Sequence, residues 1–190
     1  MKQKLHYLLS VIALFSFSMI ASAQSFVIGD LEYFVHSTTQ KEVTCRGFSS
    51  SSEGLFLDIP NTVEYEGIKY SVSKIGVRAF QYTRLQTIKH LPDELKEIGE
   101  YAFYYCEYAS TSLTIPKTVE KIGNFAFYGS DGISLFLPEN SALVSLGAGA
   151  FQESGMYSAV IPKTFTTIPS GMFSNCKNLK SVKIPSSVTA

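Results

Sequence analysis

Tryptophan is missing, cysteine and histidine are scarce and the charges cancel: the 190 residues hold no Trp, three Cys, three His and 16 basic against 16 acidic side chains. Each shortage narrows the function. Only His36 and His90 lie beyond the N-terminal segment, and neither sits in a metal-ligand pattern such as H-E-x-x-H. No Gly-rich loop precedes a Lys-Ser/Thr pair, and no G-x-S-x-G elbow occurs. Scattered, balanced charges offer neither a basic stripe for nucleic acid nor a polybasic patch for an anionic membrane. After residue 23 no apolar run is long enough to span a bilayer.

The one long apolar run is at the start. Lys2 and Lys4 form a basic head, Leu8 to Ile20 are almost purely apolar, and Ala21-Ser22-Ala23 supplies small residues for cleavage. This predicts a secretory signal peptide over residues 1–23, cleaved after Ala23. The run falls short of the roughly 20 residues a transmembrane helix needs, so no membrane insertion is expected after cleavage. Removing Lys2 and Lys4 leaves 14 basic against 16 acidic side chains, a net charge of −2.

What the chain does have is a repeat. An Ala-Phe pair recurs as Ala79-Phe80, Ala102-Phe103, Ala126-Phe127 and Ala150-Phe151, with Met172-Phe173 as fifth member; the Phe spacings are 23, 24, 24 and 22. Four residues before each Ala or Met stands Ile75-Gly76, Ile98-Gly99, Ile122-Gly123, Leu146-Gly147 or, departing, Ile168-Pro169. An apolar residue precedes Pro at 91–92, 115–116, 137–138, 161–162 and 184–185. Three landmarks in one phase predict a solenoid whose coils stack like on like. Segments 112–115, 134–137, 158–161 and 181–184 alternate as short strands, with Leu113, Ile115, Leu135, Leu137, Ala159, Ile161, Val182 and Ile184 inward. Pro then ends each strand because it has no N–H. Pro169 in the Gly column implies that close packing, rather than a left-handed backbone, is why Gly stands there. The phenylalanines should form a continuous spine, about 4.8 Å per coil.

These residues carry a family likeness. Leu179-x-x-Val182-x-Ile184 and the longer run from Ile115-Pro116 through Val119 and Ile122-Gly123 to Ala126-Phe127 resemble the BspA-like class of leucine-rich repeats. The resemblance covers about residues 59 to 190. It implies an α/β solenoid of the leucine-rich-repeat type, mostly β, of parallel stacked short strands. It further implies a protein secreted or surface-displayed by Bacteroides-type bacteria, with a role in adhesion to host or microbial proteins. The expected organisation is a β-rich cap over 24–72, then a solenoid over 73–190 of about five repeats and a truncated sixth. The cap lacks the repeat; alternation in Leu31–Val35 and turn signals at Gly29-Asp30 and Glu66-Gly67 predict short antiparallel strands, with a loop at Ser49–Ser52. Residues 184–190 begin a further unit without its Ile-Gly and Ala-Phe, which predicts a fragment or an end covered by another chain.

Cysteines add no chemistry. Three is odd, so at least one thiol is unpaired. Cys106 and Cys176 each follow a spine Phe by three residues, where other coils have Thr83, Ser130 and Ser154. Three coils separate them, about 14 Å at one strand spacing per coil, against the roughly 7 Å a disulfide tolerates. They are expected as buried structural thiols.

Dispersed carboxylates on a shallow solenoid predict no enzyme, cofactor or metal. The expected role is binding or adhesion toward a host or microbial protein or glycan; the alternative is a spacer segment of a longer surface protein. Two surfaces are candidates. One is the outward strand row Lys89, Thr114, Phe136, Val160 and Lys183. The other is an aromatic edge off the spine: Tyr82, Tyr101, Tyr104, Tyr105 and Tyr128, with Tyr108 and Phe125. In later coils the equivalent places hold Gln152, Glu153, Ser174 and Asn175. Tyrosine suits protein or glycan contact, but the rings can equally pad a coil edge.

Overall fold

The computed structural model describes residues 24–49, 56–108 and 111–189. The expected signal peptide and all but Ser49 of the expected Ser49–Ser52 loop lie outside the described residues. Strands run in chain order as β1 (Ser25–Ile28), β2 (Leu31–Ser37), β3 (Glu42–Phe48), β4 (Phe56–Asp58), β5 (Thr62–Tyr65), β6 (Ile68–Ile75), β7 (Arg84–Leu85) and β8 (Thr87–His90). Then follow β9 (Glu97–Ile98), β10 (Glu107–Tyr108), β11 (Thr111–Thr114), β12 (Lys121–Ile122), β13 (Ile133–Leu137), β14 (Ser145–Leu146), β15 (Met156–Val160) and β16 (Ser181–Lys183).

The cap has the expected hairpins. β1 turns into β2 at Gly29-Asp30, and β5 into β6 at Glu66-Gly67. Both Glu66 (φ 51°) and Gly67 (φ 72°) are left-handed, the backbone that a two-residue turn needs to match strand twist. The cap does more than cover an end. β3 pairs in parallel with β6, setting Cys45 opposite Ile75, and the Gly76 N–H donates to the Cys45 carbonyl at 2.7 Å. From β6 the same sheet continues through β9, β12 and β14, with Ile75, Ile98, Ile122 and Leu146 in register.

Coils one to five are counted here by their spine residues Phe80, Phe103, Phe127, Phe151 and Phe173. Successive rings stack nearly parallel at centroid distances of 5.3, 5.1, 5.7 and 6.2 Å. Phe48 of β3 extends the spine into the cap, meeting Phe80 edge-on at 5.5 Å. The glycine column is close packing, as Pro169 implied: Gly99, Gly123 and Gly147 have no positive φ, and an added Cβ would come within 2.7, 2.5 and 2.3 Å of the preceding coil's backbone. Each of these glycines also donates its N–H to the preceding coil, as Gly123 does to Ile98 at 2.9 Å. Pro169 has no such proton, and the short-strand ladder ends one coil earlier, at β14.

Two expectations need correction. No helix occurs among the described residues, so the α component of the α/β description is absent there. The Ala-Phe stretch is a ladder of turns. The N–H groups of Phe80, Phe103 and Phe127 donate to Ala102, Ala126 and Ala150 of the next coil, at 2.8, 2.7 and 2.8 Å. The flanking alternate N–H groups close tight turns within the coil, as Gln81 does on Arg78 and Thr83 on Phe80. A helix would spend all these donors on its own carbonyls four residues back. The second correction is Ile184. Alternation placed it inward, yet it is 57 % exposed. It follows β16, which is the last strand of the β11–β13–β15–β16 sheet and has a neighbour on one side only. The other assigned inward residues through Ile161 are buried, and Val182 is half-buried.

Candidate binding surface

The turn ladder sets unusual backbone demands. In every coil the residues two before and two after the spine Phe are left-handed: Arg78 and Tyr82, Tyr101 and Tyr105, Phe125 and Gly129, Gly149 and Glu153, Gly171 and Asn175. In coils one to four their N–H groups donate along the solenoid axis to the next coil, as Tyr82 does to Tyr104 and Tyr105 to Tyr128. Coils four and five fill three of their four left-handed places with Gly or Asn, the residues that tolerate this region. Coils one to three instead place four aromatic rings there. A left-handed non-glycine residue costs about 1–2 kcal/mol, and an aromatic pair returns only about 0.5–1.5 kcal/mol beyond its buried area.

The rings form one connected cluster. Tyr82 and Tyr105 lie parallel at 6.2 Å, Tyr101 and Phe125 at 5.5 Å, and Tyr104 and Tyr128 at 5.1 Å. Edge contacts join these columns, such as Tyr104 to Tyr105 at 4.8 Å and Tyr101 to Tyr104 at 5.2 Å. The Arg78 guanidinium sits 5.5 Å from the centre of the Tyr101 ring. Tyr82 is the most open ring at 67 % exposure and Tyr105 is also exposed, while Tyr101, Tyr104, Phe125 and Tyr128 are half-buried. The Tyr128 hydroxyl donates to Glu153 Oε1 at 3.0 Å, and that bond to a carboxylate raises its pKa. The side chain of Tyr108 lies outside the described set.

The outward strand row is not one row. Thr114 pairs with Phe136, and Val160 with Lys183, but Phe136 stands opposite Ser158 rather than Val160. Tyr157 is an extra residue in β15 that shifts the register and puts its ring 5.4 Å from Phe136. Lys89 belongs to β8, which pairs with β4 in a separate sheet, and its ammonium lies over the Phe56 ring at 5.0 Å. The structure thus brings together Tyr82, Tyr101, Tyr104, Tyr105, Phe125 and Tyr128 of the edge and only fragments of the strand row.

The Cys/Ser position after each spine Phe has a concrete role. Cys106 Sγ donates to the Phe80 carbonyl at 2.7 Å, Ser130 Oγ to Phe103 at 2.5 Å and Cys176 Sγ to Phe151 at 2.8 Å, each reaching one coil back. No cysteine is in a disulfide, and burial pushes the Cys45 thiol up to about 12. Among the described residues no group of three or more His, Cys, Asp or Glu is placed to hold a metal ion.

In-register parallel strands, a stacked aromatic spine and a glycine column define a leucine-rich-repeat solenoid. The profile of the BspA type leucine rich repeat region matches residues 73–190 in six copies. The chain belongs to this BspA-type family. Among solved structures it resembles a leucine rich cell surface protein from Faecalibacterium prausnitzii A2-165, with 29 % identity and a TM-score of 0.70 over 88 % of this chain. It spans only 44 % of that protein's chain. A leucine-rich repeat protein from Bacteroides capillosus shares the fold at 20 % identity and TM-score 0.57, covering 84 % of this chain and 96 % of that one. The pneumococcal vaccine antigen PcpA does so at 20 % identity and TM-score 0.51, over 87 % of this chain and 39 % of that one. No curated protein shows significant sequence similarity.

Proposed function

We propose that this protein is a secreted or cell-surface, non-catalytic binding module that holds a host or microbial protein or glycan against the aromatic edge of coils one to three. One observation carries the reading: Tyr82, Tyr101, Tyr105 and Phe125 occupy left-handed positions, and three of the four equivalent places in coils four and five hold glycine or asparagine. Strain kept at a surface position points to a use for the side chain. Clustered tyrosines offer large contact area with little rotamer freedom to lose. The exported character read from residues 1–23 and the similarity to a cell surface protein support the location. A spacer does not require rings in these columns, since coils four and five use Gly149, Gly171 and Asn175 at equivalent places.

The test is capture of host matrix proteins and of arrayed glycans by the protein and by its Tyr82→Gly and Tyr101→Gly variants. The expected result is a ligand retained by the parent and lost by both variants while their melting temperatures fall by no more than a few degrees. Capture that is indifferent to both substitutions contradicts the proposal.

A further inference from the structure

The aromatic column that begins at Tyr82 ends in a built hollow. One face of Tyr105 lies on Tyr82; the ring also reaches over Gly129 of the next coil, where an added Cβ would stand 2.5 Å from it. Beyond Gly129 the column turns polar, to Glu153 and Asn175. There a hollow of about 290 Å³ opens, lined by Tyr105, Gly129, Asp131, Glu153, Asn175 and Lys177. Glu153 is held by the Tyr128 hydroxyl, so part of the polar wall is fixed before any ligand arrives.

We propose that this hollow is a subsite for a neutral hexopyranose unit of a glycan. The inference rests on the aromatic edge being the binding surface and names its ligand. The chemistry of the lining selects the class. Asp131 and Glu153 are pure acceptors when ionised, Lys177 is a pure donor, and Asn175 offers both. Each hydroxyl of a polyhydroxyl ligand can both donate and accept, and so satisfies that mixture. Two carboxylates oppose an anionic sugar, and Lys177 offsets one of them and opposes a guanidinium or ammonium group, which leaves a small residual negative charge that a neutral ligand tolerates. The Tyr105 ring supplies the flat apolar wall against which the C–H face of a pyranose packs. The Tyr82 ring, stacked behind Tyr105 at 6.2 Å, backs that wall.

Isothermal titration calorimetry with laminarihexaose, mannohexaose and N-acetyllactosamine as neutral probes, sialyllactose as anionic probe and octa-arginine as cationic probe tests this. Binding of at least one neutral probe is expected, stronger than either charged probe. Asp131→Ala and Tyr105→Asn should each weaken it about tenfold or more. Tyr105→Asn keeps the fold because Asn175 already occupies that column three coils on. Preference for the anionic or cationic probe, no neutral probe bound, or neutral binding unchanged in Asp131→Ala overturns the inference. Capture of a protein that needs Tyr82 but not Asp131, with no neutral sugar bound, overturns the sugar subsite and leaves the aromatic edge standing as a protein-binding surface.

Discussion

The Ser130 hydroxyl donates at 2.5 Å to the carbonyl of Phe103, one coil back, and both residues are fully buried. The same bond in coil two is made by a thiol, Cys106 to Phe80. At Cys106, Ser130 and Cys176 the residue three after the spine Phe is therefore a donor that stitches adjacent coils, whereas Ser154 donates to Phe151 of its own coil. Ser130→Ala should lose about 1 kcal/mol, near the lower end for an abandoned buried acceptor, because the Cys106 N–H also reaches the Phe103 carbonyl. Cys106→Ser should be close to neutral and Cys106→Ala should not. Urea unfolding midpoints of the three variants decide this.

The glycine column gives a graded prediction. A Cβ at Gly123 would meet backbone at 2.5 Å, whereas at Gly76 its nearest neighbours stand at 3.3 Å. Gly123→Ala should therefore cost about 1–3 kcal/mol through overpacking, and Gly76→Ala distinctly less. Equal effects of the two substitutions on thermal unfolding would mean that close approach is not why the column is glycine.

His36 makes the junction of cap and solenoid sensitive to acid. Its ring bonds Thr44 Oγ1 at 2.9 Å and Glu42 at 3.3 Å, faces Ser73 at 3.4 Å and lies near Lys74 and Glu97. Burial lowers its pKa, aided by Lys74 and opposed by Glu42 and Glu97. Below about pH 6.5 the unfolded chain then binds a proton the native chain resists, so stability is full above that pH and falls as pH drops toward the native pKa. The unfolding midpoint should fall between pH 7.5 and pH 5.5, and His36→Gln should flatten that slope. An unchanged slope would rule His36 out as its source.

The architecture was legible because the constraints are local in sequence and repeat: Ala-Phe spacing set the coil length, and the Gly column marked the close approach. Four features were not. Phe48 follows Gly47 rather than Ala and precedes Phe80 by more than one period, because β4 and β5 intervene, so its place in the spine had no spacing signal. The shift at Tyr157 leaves coil length untouched, so the outward row looked continuous when it is not. The hollow draws Asp131, Glu153 and Asn175 from three coils; its one trace in sequence was the end of the edge tyrosines at Tyr128, visible as Glu153 and Asn175 but not as a shape. Left-handed backbone was hidden too, since Tyr and Phe are not its usual occupants.

Whether the edge tyrosines serve binding or merely packing is decided most directly by equilibrium urea unfolding of the Tyr82→Gly/Tyr105→Gly double variant. With strain relief offsetting lost stacking, the loss should stay below about 2 kcal/mol, near 1 per site. A loss of about 3–5 kcal/mol per ring, the range for removing a core aromatic, would show that the fold itself depends on them and would contradict the assignment of this edge to a partner.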